Sequence, residues 1–133
     1  MTMIAENLVV AGDPPRLIGG QHKDSGKIVF PLPSGSEGAL FDAVELSPEG
    51  TLWSWSVQRF LPKSPPYMGT ETLETFQPFV FGYVELPRQI IVETRIVGSD
   101  GTDLKIGMPM RTTLVDFDHK ERGTVQTFAF TPA

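Results

Sequence analysis

An all-β fold is what this sequence predicts, and three observations carry the prediction. Twelve prolines and thirteen glycines cut the 133 residues into short pieces. β-Branched and aromatic residues fill the pieces between them, and helical signals are scarce. The apolar fraction of 40% suits a folded globule, and a chain of this length can bury one compact core but not a second independent one.

The strands follow in order. GTLWSWSVQRF, from Gly50 to Phe60, reads as the first barrel strand. Successive side chains in a strand point to opposite sides, so Trp53, Trp55 and Val57 are expected on one face and Ser54, Ser56 and Gln58 on the other. PFVFGYVEL, Pro78 to Leu86, is apolar on both faces, as a strand covered on both sides would be. QIIVETRIV, Gln89 to Val97, alternates with Ile90, Val92, Thr94 and Ile96 inward and Glu93 and Arg95 outward. Only the short Pro87-Arg88 step separates these two, which predicts an antiparallel hairpin. After a turn at GSDG, Gly98 to Gly101, come Met108 to Phe117 and Gly123 to Phe130, joined by the polar DHKERG as a second hairpin. Five strands with one longer excursion fit a small closed barrel, and closure removes the adhesive edges that short strands otherwise leave.

Two segments stand outside the strands of that barrel. Residues 1–46 form an N-terminal segment, and residues 47–133 hold the barrel with a long 61–78 loop. Connections that long in compact domains are usually functional or disordered. Pro65-Pro66 stiffens the loop, and Tyr67, Met68, Leu73 and Phe76 give it apolar matter to bury. TETLETF is read as one or two helical turns with Thr70 as the cap.

Composition excludes several functions. A formal charge of −5, with 16 acidic against 11 scattered basic residues, argues against nucleic-acid binding, which rests on a dense positive surface. The chain has no cysteine, so disulfides and thiolate metal sites are excluded. No basic-then-apolar leader and no membrane-length apolar run is read, which makes a soluble cytoplasmic protein the expectation.

Chemistry-bearing constellations are equally sparse. His22 and His119 both sit in polar turns, without the further ligands that a metal held at about 2 Å needs. No serine occupies a G-x-S-x-G elbow, and neither phosphate-cradling glycine motif occurs. Glu71 and Glu74, on the long loop, read as solubilising rather than catalytic. Trp53 and Trp55 suit either a base-stacking platform or the barrel core. Nine phenylalanines, an apolar proline-stiffened loop and a strand apolar on both faces fit a protein-binding surface as well as a well-filled barrel.

The order of these motifs resembles a known family. LIGGQHKDSGKIVFP, then GTLWSWSVQRF, a proline-rich loop leading to PFVFGYVELP, then DLKIGMPM and a terminal FAFTPA are similar to the small OB-fold proteins that carry an N-terminal rubredoxin-like zinc ribbon and accompany thiolases. The likeness runs from about Leu17 to Ala133, and it is the order and spacing of the motifs, not any one of them, that makes it specific. It implies a non-catalytic accessory subunit for acyl-CoA chemistry: thiolytic cleavage, acyl transfer or retro-aldol cleavage. A thiolase-like or ketosynthase-like partner would supply the reacting cysteine and histidines, and this chain would help shape the CoA channel.

One departure matters. The family ribbon has two C-x-x-C knuckles, and here the first falls on His22 and Ser25 and the second near Ser34 and Glu37. Serine is a poor zinc ligand, so no zinc is expected. A ribbon without metal must lean on the barrel or on a partner, with Ile28, Val29 and Phe30 packed on the neighbour.

Three functions follow from this reading. The leading one is the accessory subunit, binding its partner through Ile28, Phe30, Tyr67, Met68, Leu73 and Phe76. The second is a stand-alone acyl-CoA-binding module whose phosphates would meet Arg59, Lys63 and Arg88. The third is a single-stranded nucleic-acid binder using Trp53 and Trp55, which the acidic balance disfavours.

Overall fold

In the computed structural model, which describes residues 2–133, the barrel strands are β5 (Glu49–Gln58), β6 (Phe79–Leu86), β7 (Ile90–Ile96), β8 (Pro109–His119) and β9 (Gly123–Pro132). They close in the order β5-β6-β7-β9-β8. Every registered pair is antiparallel except the closing one, β7 with β9, which is parallel and rests on Ile96 opposite Phe130. The expected hairpins both form, with Leu86 opposite Ile90 in one and His119 opposite Gly123 in the other.

Alternation sends Val80, Gly82, Val84 and Leu86 of β6 and Val92, Thr94 and Ile96 of β7 into the interior, as the period-two pattern requires. Gly82 is needed where it stands: a Cβ there would collide with the carbonyl oxygen of Ser54, so β5 and β6 approach closely only because it is absent.

The first barrel strand departs from the expected pattern. The β5–β6 register slips between Leu52 and Ser54, a bulge that inserts one residue. Trp53 is therefore turned away from the core and stays 54% exposed, its ring edge-on to Tyr83 at 6.1 Å. Leu52 takes the interior place, and Trp55 and Val57 remain packed on the core. The two tryptophans do not share a face. The 61–78 loop holds only a single helical turn, in which the Phe76 amide donates to the Thr72 carbonyl at 2.9 Å. Thr72, not Thr70, caps it, because the Thr72 and Thr75 hydroxyls each accept the other's amide.

Ahead of the barrel, β2 (Arg16–His22) is the centre of a four-stranded sheet. It pairs with β1 (Val9–Val10), β3 (Ile28–Val29) and β4 (Phe41–Glu45), all antiparallel. A four-residue helix, α1 (Gly35–Gly38), stands where the second knuckle was placed, near Ser34 and Glu37. This sheet builds no core of its own. Leu17 and Leu46 are completely buried, in one cluster with Leu52, Val84, Met110 and Phe130 of the barrel. The junction is also hydrogen-bonded, since the buried Thr112 hydroxyl donates to the Pro15 carbonyl and its amide donates to the Pro48 carbonyl at 2.9 Å. The sheet and the barrel are thus ordered together. No helix among the described residues is long and apolar enough to cross a membrane.

Candidate docking site

A cleft opens where β7 and β9 part below their single registered contact. Its volume is 530 Å³, and Phe79, Phe81, Val115, Phe117 and Phe128 line it. Alternation explains the β6 contribution: with Val80 and Gly82 inside, Phe79 and Phe81 must point to the other face. The β8–β9 hairpin supplies the opposite wall, and Ile4 adds to it. Ile4 is held there because its amide donates to the Gln126 carbonyl at 2.7 Å and the Arg122 guanidinium bonds the Met3 and Ile4 carbonyls.

Charge at the cleft is unevenly shared. The Arg95 guanidinium lies over the Phe79 ring, 3.7 Å from its centroid, where a cation is attracted to the π-face. Glu93 and Asp116 are exposed at the same cleft and have no ion-pair partner among the described residues. The Tyr67 hydroxyl donates to the Glu71 carboxylate at 2.9 Å, and its ring packs edge-on to Phe117. Burial pushes the Tyr67 phenol above its ordinary value of 10.0; Arg95 beside it pulls the other way, and the Glu71 carboxylate adds to the rise.

A raised phenol favours the folded state only while it stays protonated. Its contribution is therefore complete below pH 10.0 and disappears as the pH climbs through the folded-state value. Tyr67→Phe should flatten the alkaline fall in thermal stability without altering the neutral plateau by more than about 1 kcal/mol. Melting curves across alkaline pH test this, and an unchanged alkaline limb would refute it.

The other expected site residues are dispersed. His22 Nδ1 accepts the Asp24 and Ser25 amides at 3.2 Å, so that nitrogen is engaged in closing its turn. His119 Nδ1 does the same for Glu121 and Arg122 at 3.1 and 3.2 Å. The Ser25 hydroxyl accepts the Lys27 amide, Ser34 precedes α1 without a side-chain bond, and Glu37 is exposed within α1. Among the described residues no three His, Asp or Glu side chains gather as metal ligands.

Arg59, Lys63 and Arg88 are all exposed, and the fold does not bring them together. Arg59 and Lys63 follow the end of β5 that pairs with Phe79, whereas Arg88 lies past Leu86 at the other end of β6. At the strand rise of ~3.3 Å per residue, those ends are roughly 20 Å apart. Arg88 instead flanks a second groove with Lys27, over Ile28, Phe30 and Ile90. Its backbone is left-handed, φ 61°, a conformation that is uncommon for a residue other than glycine.

Of the expected partner contacts, Ile28 and Phe30 are half-buried on this chain's own barrel, with Phe30 edge-on to Phe128 at 5.4 Å. Tyr67 and Met68 lie against the β8–β9 hairpin, where the Met68 carbonyl accepts the Lys120 amide at 2.9 Å, and Phe76 packs on Phe79. Of the four loop residues expected to meet a partner, only Leu73 is exposed, at 87%. The cleft itself was not anticipated from the sequence. Its one advance signal was the second apolar face of the Phe79–Leu86 strand.

The arrangement is suited to holding an apolar group, and among the described residues that line it no hydroxyl is hydrogen-bonded to a carboxylate. A family model described as "ChsH2, C-terminal OB-fold domain" matches residues 43–115, more than half of the chain. The chain belongs to this family. The matched residues begin in β4 and run into β8, so they include the face of β6 and β7 that lines the cleft. They leave out most of the N-terminal sheet and all of β9.

As a whole, this ChsH2-type OB fold is similar to a solved structure described as "Ltp2-ChsH2(DUF35) aldolase". The TM-score is 0.61 at 22% identity, over 88% of this chain and 84% of that one. At that identity the likeness shows the fold. No curated protein sequence matches the chain. The OB-fold family expected from the motif order is thus shown over residues 43–115, and the ligand-binding region of OB folds, the face of their second and third strands between two loops, corresponds here to β6 and β7.

Proposed function

We propose that this chain is the non-catalytic subunit of a thiolase- or aldolase-type complex acting on acyl-CoA thioesters. A thiolase-like or ketosynthase-like partner in the cytoplasm carries the reacting groups, and cleavage or acyl transfer takes place there. The observation that carries this reading is the ChsH2 family match over residues 43–115. Two further features agree with it. The structural relative is described by two names, Ltp2 and ChsH2(DUF35), for one aldolase. The apolar cleft is bordered by carboxylates, an arginine and phenylalanines, and no nucleophile hydrogen-bonded to a base is found among the described residues that line it.

The wide spacing of Arg59, Lys63 and Arg88 weighs against a stand-alone CoA module, because the CoA phosphates need cations that converge. In the complex, Arg88 beside Lys27 is the better placed of the three to meet a phosphate. The ribbon-like segment carries no zinc in this reading.

Co-expression tests the proposal. With the thiolase-fold protein encoded beside it, this chain should elute from gel filtration as one hetero-oligomer, and the partner alone should lack full activity. Two separate peaks, with full activity in the partner alone, would overturn it.

A further inference from the structure

The face of β5–β7 turned away from the core has no element of this chain laid over most of it. Register places its side chains in rows. Ser54, Tyr83 and Glu93 stand opposite one another across the three strands, as do Ser56, Phe81 and Arg95, and Glu85 stands opposite Ile91. The bulge adds Trp53 to the first row, edge-on to Tyr83 and 54% exposed. Trp53, Tyr83, Phe81 and Phe79 thereby form an aromatic band that runs into the cleft, and Ile91 adds to its border at 39% exposure. The 61–78 loop reaches this face at its cleft end, through Phe76 on Phe79 and through Tyr67, which lies beside Arg95 and packs on Phe117, and leaves the Trp53–Tyr83 end open. Other exposed apolar side chains, such as Phe60, Leu73 and Ile106, lie outside these rows, and it is the contiguity of the aromatic band that marks a binding surface.

Its charge narrows the occupant. Glu85, Glu93 and Asp116 are exposed on this face and at the cleft, and the single ion pair among the described residues, Arg16–Glu45, involves none of them. Of the described residues that line the cleft, the one cation, Arg95, is turned onto the Phe79 ring, and Arg122 nearby is bonded to the Met3 and Ile4 carbonyls. The face is thus apolar at its centre and acidic around it, in a chain of net charge −5. Its complement is an apolar anchor side chain ringed by lysine or arginine.

We infer that this face is where the catalytic subunit docks, seating an apolar anchor in the cleft between β7 and β9 with basic side chains against Glu93 and Asp116. The inference rests on the subunit reading and makes it specific: the aromatic face of the barrel holds the partner, and the cleft serves as the anchor pocket. Anchors of this kind concentrate binding energy in a few desolvated contacts, while the charges around them govern encounter and salt sensitivity.

The test is binding of the co-expressed thiolase-fold partner by purified full-length variants, with folding checked by circular dichroism. Phe81→Glu should weaken binding at least a hundredfold. Glu93→Lys and Trp53→Ser change exposed side chains, so they report even if Phe81→Glu misfolds. Each should weaken binding about tenfold, and Glu93→Lys should also flatten its salt dependence. Ile106→Glu, at a 75% exposed residue of the β7–β8 connection, should bind like the wild type.

If the wild type binds the partner and all three face variants bind equally well, the docking face is wrong while the subunit reading stands. A wild type that never binds overturns both. An isolated chain that is already dimeric, and that Glu93→Lys or Trp53→Ser makes monomeric, gives the face to a second copy and overturns the inference.

Discussion

Alanine in place of Phe130 is expected to destabilise the protein by about 3–5 kcal/mol. Urea melts measure it, and the thermal midpoint should fall by roughly 10 °C or more. Phe130 is completely buried, and it is the one β9 residue registered against β7, opposite Ile96. Its carbonyl also accepts the Val97 amide at 2.9 Å. The same side chain belongs to the cluster that holds Leu17 of the N-terminal sheet and Met110 of β8. Removing the ring leaves a cavity at the place where the barrel closes, so relaxation into it pulls on β7, β8 and β9 together. Leu73→Ala, at 87% exposure, is the contrast and should stay within about 0.5 kcal/mol of wild type. A loss below about 1 kcal/mol for Phe130→Ala would mean that backbone pairing, not the ring, holds the seam.

That seam also shows where reading the chain by pattern stops. The barrel strands were legible because their information is local. Ile90, Val92, Thr94 and Ile96 alternate with polar neighbours, and two residues at a turn suffice to define a hairpin. The bulge at Trp53 was not legible, since no residue type demands it and one inserted residue exchanges the faces of everything before it. The helical turn in the long loop was placed near its true position but given the wrong cap. Thr72 outcompetes Thr70 through a reciprocal bond with Thr75 that only the folded turn creates.

The cleft lay further out of reach. It needs β7 and β9 to diverge, the β8–β9 hairpin to rise beside them, and Ile4 to be tied down by Arg122 from the far end of the chain. Each of these is a contact between residues remote in sequence. The chain did announce its ingredient, the surplus aromatic face of β6, which points out of the barrel with no second sheet laid over it and so remains available for binding.

Leu46→Ala is expected to cost about 2–5 kcal/mol and to leave one unfolding transition, with no effect of a chelator on the midpoint in wild type or variant. The chain has no cysteine with which to hold a structural zinc. A structural zinc in a small finger supplies about 10 kcal/mol or more, and hairpins as short as β2–β3 have no comparable internal source of order. Leu17 and Leu46 supply it instead, since both are fully buried in the cluster built around the barrel, and Ile28 and Phe30 pack on its edge. The Leu46 amide also donates to the Leu17 carbonyl at 2.8 Å, so the two leucines act as one contact and their alanine variants should be less than additive. If the N-terminal sheet were instead an independent unit, two transitions would appear and Leu46→Ala would shift only the first. If a metal held it, chelation would lower the midpoint and purified protein would contain equimolar zinc. One transition, lowered by the loss of a leucine and indifferent to a chelator, leaves hydrophobic docking on the barrel as what replaced the metal.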